Sequence, residues 1–122
     1  MVIPDDPPPG GVEVPLLASF AVLRRVPLIA LAHNSLSPKL VLFPGHLEYR
    51  VLRHTRRAYG DVDCIDVRIL PATSNILIAS RGSALAFSGN LGSLEALKRL
   101  VSFFRRRGIA LAPRAAALVD AG

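Results

Sequence analysis

Asp61, Asp63 and Asp66 fall within six residues, a density of carboxylates that suits hard cations because these take several oxygen ligands. The glycine and closing glutamate of an EF-hand loop are missing. The run therefore reads first as a solvated strand face, or as ion-pair partners for Arg56, Arg57 and Arg68. His33, His46 and His54 are scattered, with no i, i+4 pair and no cysteine beside them, so a zinc site has no spacing to rest on. Cys64 would be a nucleophile only if the fold brought it a histidine as base; between two carboxylates that oppose the thiolate it reads as a plain thiol. Gly82-Ser83-Ala84 and Gly89-Asn90-Leu91-Gly92-Ser93 put glycine ahead of a helix, as phosphate loops do, but lack the lysine and the full glycine spacing. What remains is positive charge. Arg53, Arg56 and Arg57 form one cluster and Arg105, Arg106 and Arg107 another, and either can meet lipid phosphates or a nucleic-acid backbone.

The totals narrow the choice. Fifteen basic residues, thirteen of them Arg, against nine acids give a net charge of +6 in 122 residues. A length of this order fits one domain, and 51% apolar against 20% charged residues supports a packed core. One cysteine permits neither an intrachain disulfide nor a multi-thiolate zinc site, and no cofactor motif is present. Val14 to Ala32 is long enough to span a bilayer, but Arg24 and Arg25 at its centre would each cost about 2.5 to 3.5 kcal/mol, and Pro15 and Pro27 interrupt it. A secretory leader fails too, because Asp5, Asp6 and Glu13 stand where positive charge belongs. These readings lead to a cytoplasmic protein. Nucleic acid is disfavoured as a partner, since the chain has five Phe, two Tyr and no Trp to act as stacking platforms, most at apolar-patterned positions.

The elements that would carry the arginines follow from periodicity. Residues 1–13, with Pro4, Pro7, Pro8, Pro9 and Gly10-Gly11, read as a flexible tail, and residues 14–122 as one domain. Leu16, Leu17, Phe20, Val22 and Leu23 follow a helical stripe, which predicts an N-terminal helix from Pro15 to Arg25. Leu28 to Ala32 is either a buried strand or a second helical turn. Lys39 to Phe43 and Leu47 to Leu52 flank Pro44-Gly45 and predict a hairpin with Leu47, Tyr49 and Val51 on its apolar face. Arg53 to Arg57 reads as a solvent-facing turn. The apolar parity shifts between Val62 and Ile65, as a bulge would cause, and strands are expected near 75–80 and 83–88, with the sheet covering about 28–88. Ser93 as cap, Glu95 in the first turn and arginines before Gly108 mark a helix over about 93–107, its stripe Leu94, Leu97, Leu100, Val101 and Phe104. Pro113 starts a last short helix through Val119.

A hydrophobic hairpin, then Tyr59-x-x-Val62-x-x-Ile65 entering a strand, two short strands joined at Arg81-Gly82 and a terminal amphipathic helix resemble the bacterial pleckstrin-homology-like domains over roughly residues 39–108. The resemblance implies an α+β fold: an antiparallel, partly closed β-barrel of five to seven strands capped by the C-terminal helix, here with the extra N-terminal helix. It also implies binding in place of chemistry. The expected partner is another protein, or a second copy, met through an exposed sheet edge or the leading helix. The alternative is an anionic membrane surface touched by Arg53, Arg56, Arg57, Arg105, Arg106 and Arg107, and the remote one an enzyme using Cys64.

Overall fold

The computed structural model describes residues 2–24, 30–34, 37–51 and 53–120, with side chains for all but 30–34. Its centre is the hairpin that Pro44-Gly45 dictates. β4 (Lys39–Leu42) and β5 (His46–Arg50) pair antiparallel, and Leu40, Leu42 and Leu47 lose all exposure on one face. β1 (Val12–Glu13) adds to β4, and β6 (His54–Ala58) to β5, giving a four-stranded sheet ordered β1-β4-β5-β6.

The second sheet grows from the meander β7 (Val62–Leu70), β8 (Thr73–Ser80) and β9 (Leu85–Asn90). β2 (Ala18–Leu23) lies against β9, and β3 (Ala30–Asn34) against β2, for a five-stranded order β3-β2-β9-β8-β7. The β7–β8 register slips between Val62 and Cys64, where the apolar parity changes.

α1 (Leu94–Arg106) closes the space between the sheets. Ser93 Oγ accepts from Ala96 N at 3.2 Å, satisfying one of the orphan donors of the first turn, and Gly108, at φ 77°, takes the left-handed conformation that ends the helix. Leu97, Leu100, Val101, Phe103 and Phe104 are fully buried. They share one cluster with Leu40, Leu42 and Leu47 of the first sheet and Ile65, Val67, Ile76, Ile78 and Phe87 of the second. Residues 109–112 then run along β7, where Ile65 N donates to Ala110 O at 2.9 Å and Ala112 N to Ile65 O at 2.8 Å, before α2 (Pro113–Asp120).

Several expectations are corrected. There is no partly closed barrel: two separate antiparallel sheets of four and five strands share the core. The predicted N-terminal helix is absent. Pro15 to Leu23 leads into and forms β2, because pairing on both sides, with β9 and β3, satisfies its backbone and overrides a stripe that suited either element. The Ala30–Ala32 part of the undecided Leu28–Ala32 segment is strand, while Leu28, Ile29 and the helix's last residue, Arg25, lie outside the described residues. Within the N-terminal segment Ile3 enters the core and Val12–Glu13 pair with β4, while Met1 lies outside the described residues. In α1, Leu94 is 44% exposed and Phe103 takes the place expected of it. Among the described residues no helix is long and apolar enough to cross a membrane.

Phe103→Ala removes a wholly buried ring and is expected to cost about 3–5 kcal/mol in chemical denaturation. Leu94→Ala, on the exposed side of the same helix, should stay within about 0.5 kcal/mol.

Candidate functional site

The arginine cluster at 53–57 is not a turn. Five cross-strand pairs with β5 make His54–Ala58 a strand, and it forms an edge of its sheet. Its side chains alternate: His54, Arg56 and Ala58 are exposed, whereas Thr55 and Arg57 are half-buried on the face shared with Leu47 and Tyr49. Arg56 and Arg57 therefore point to opposite sides of one sheet.

On the outer side Arg56 lies directly across from Glu48. The Glu48 carboxylate is taken instead by two histidines, accepting from His46 Nε2 at 2.9 Å and from His54 Nε2. The His46 ring is itself fixed by stacking on Phe43, with centroids 4.6 Å apart. Hydrogen bonds from His46 and then His54 hold the Glu48 carboxyl below its ordinary 4.5, against a smaller opposing effect of burial. Among the described residues no acceptor is shown for Arg56, whose cross-strand partner is engaged by the two histidines.

On the inner side, β5 and β6 face β2 and β9 across an open cleft of about 310 Å³. Its floor is apolar: Ala21, Val51, Ala86 and the Tyr49 and Phe87 rings, which pack at 4.6 Å and 39°. Arg53, Thr55, Arg57, Ser83 and Leu85 complete the lining. Arg57 Nε is buried and has no hydrogen-bond partner, an arrangement that costs about 1–3 kcal/mol for a sealed donor.

Arg53, Arg56 and Arg57 are the exceptions among the described arginines. Arg24 pairs with Asp63, Arg114 forms a forked pair with Asp66, Arg99 meets Glu95, and Arg50 and Arg81 donate to Ser37 Oγ and Gly60 O. Arg68 is engaged as well. The second predicted cluster is fully occupied: Arg105 pairs with Asp120 and Arg106 with Asp5. Arg107 donates to Pro44 O at 2.6 Å while lying 4.6 Å above the Tyr59 ring. Asp63 and Asp66 thus pair with Arg24 and Arg114 and not with Arg56 or Arg57. Arg24 and Arg114, distant in the chain, reach Asp63 and Asp66 through β2 and α2, which local spacing could not reveal.

Among the described residues, Cys64 and the histidines lie apart. Burial, aided by Asp66 and Asp63 and opposed by Arg24, pushes the Cys64 thiol up, away from the thiolate. His46 and His54 face Glu48 on the other sheet, and His33 sits on β3, at the opposite edge of the five-stranded sheet from β7. In the glycine-rich segment, Asn90 Oδ1 accepts from Ser74 N at 3.1 Å and Gly92 N at 2.9 Å, so these residues build the turn into α1. No group of three metal-ligating side chains occurs among the described residues.

Comparison with protein-family models, curated proteins and solved structures finds no match to this chain. The resemblance to pleckstrin-homology-like domains thus rests on its own residues alone.

A carboxyl held below its unfolded value stabilises the fold above that value, and the contribution is lost as pH falls through the folded-state pKa. Glu48→Gln is therefore expected to flatten the fall in melting temperature between about pH 5 and 3 relative to wild type.

Proposed function

We propose that the protein is a non-catalytic binding domain that engages an acidic, extended segment of another protein along the β6 edge. The observation that carries this reading is the coincidence, on one edge strand, of backbone paired only towards β5 and the arginines that no internal acid claims. An edge strand offers main-chain donors and acceptors to an added strand, and its side chains select the partner. Charge on an edge also discourages self-pairing: a second copy would set arginine against arginine, so an acidic strand of different sequence is favoured over self-association. A cytoplasmic setting belongs to this reading, supported by the single thiol.

The membrane alternative has less behind it. Arg105, Arg106 and Arg107 are turned to internal acceptors and Arg57 faces inward, which leaves Arg53 and Arg56 on the exposed surface. At about 1 kcal/mol per basic residue near an anionic leaflet, two arginines give only transient attachment.

Titrating isotopically labelled protein with a threonine-rich peptide bearing glutamates should shift the amides of residues 53–58, weaken with added salt, and fail for the lysine counterpart. The double reversal Arg53→Glu, Arg56→Glu should lower affinity by at least about tenfold. Equal binding of acidic and basic peptides, or salt-sensitive retention on phosphatidylserine vesicles without any peptide response, would refute the reading.

A further inference from the structure

Resting on the β6-edge reading, we infer that the cleft beside β6 recognises the side chains of that segment: one apolar residue over the Tyr49–Phe87 pair and one carboxylate, two positions away, at Arg57.

The two sheets differ in width, four strands against five. The narrower one stops at β6, and beyond it Ala21, Leu85, Ala86 and Phe87 of the wider sheet line the open cleft instead of meeting a further strand. Leu85 is 41% exposed as a result. A strand added to β6 continues the narrower sheet over that opening. Because successive side chains alternate, the residues beside Thr55 and Arg57 are the ones that point into the cleft, and they are i and i+2, about 6.8 Å apart.

The chemistry of the two positions differs. Next to Thr55, whose cross-strand neighbour is Tyr49, the floor is ring and aliphatic carbon from Tyr49, Phe87 and Ala86. Next to Arg57 there is a guanidinium whose Nε lacks an acceptor, with Arg53 also lining the cleft. No hydrogen bond within the described fold holds the Arg57 head group, so it can turn to present Nε and one Nη together to a carboxylate. The cleft, about 310 Å³, is open on the side from which these two side chains would enter.

The test uses the whole chain and three acetylated threonine-based heptapeptides of equal charge. The first carries leucine and glutamate two apart, the second carries them adjacent, and the third has threonine in place of leucine. The first is expected to bind at least about tenfold more tightly than the others and to shift Ala21, Ala86 and Phe87. Arg57→Gln should abolish that preference, so that the first peptide binds no more tightly than the adjacent-residue peptide, and Leu85→Ala, at an exposed position, should reduce it. Equal affinity for all three peptides, with β6 amides still shifting, overturns the cleft inference and leaves the edge reading standing. No β6 shift with any peptide overturns both. Octanoate alone binding as tightly as the patterned peptide, at the same cleft residues, assigns the cleft to free carboxylates and also overturns it.

Discussion

Two sheets of unequal width share one apolar core, and the constraint on which the molecule depends is that α1 must seal them against water. Five of its side chains have no exposure at all, and its C-terminal end is fastened where the two sheets join. There Arg107 lies 4.6 Å from the Tyr59 ring and 5.3 Å from that of Phe103, and donates to Pro44 O at the β4–β5 turn. Tyr59 donates in turn to Phe43 O at 2.7 Å, and burial pushes its phenol up to about 12. Hairpin, helix end and the 3-10 turn Tyr59–Asp61 between β6 and β7 are thereby held as one unit.

The way α1 is fastened also decides where charge is left over. Asp5, Asp120, Asp63, Asp66 and Glu95 meet arginines, and Glu48 meets two histidines. Exposed pairs of this kind contribute only about 0–1 kcal/mol each, so their larger effect is on the surface: they engage Arg24, Arg99, Arg105, Arg106 and Arg114 and leave the arginines at and beside β6 without an acid among the described residues. The open flank of the narrower sheet and the unquenched arginines consequently coincide. Neither feature alone distinguishes a binding edge from an ordinary strand margin, and the pairing of the two is what gives the edge a chemical preference.

Much of this architecture is legible in the residues. Pro44-Gly45 between alternating runs announces β4 and β5, the parity change announces the slip at Val62–Cys64, and Ser93, Glu95 and Gly108 bracket α1. β1, inside the Pro- and Gly-rich start, is not legible, and β2 and β6 are not legible for opposite reasons. β2 has apolar residues at spacings that fit helix and strand alike, and only its pairing with β9 and β3 decides between them. β6 has almost no apolar residue, because one of its faces meets solvent and the other a cleft, so periodicity has nothing to report. The candidate site was legible as a set of arginines and not as a surface. Which of them stay unpaired is settled by acids that come from β7, α2 and the N-terminal segment.

The position of β2 has a bearing on how the chain reaches this state. Ala18 pairs with Asn90 and Leu23 with Leu85, contacts that span most of the chain, whereas β7, β8 and β9 are joined by tight turns and can assemble locally. β3 can pair with β2 locally, but closing the large loop to β9 makes the β2–β9 pairing a late step. As the polypeptide leaves the ribosome, the strand made early must wait, with the edge that β9 will cover unprotected, for one made much later, and that interval is the molecule's window of vulnerability to misassociation.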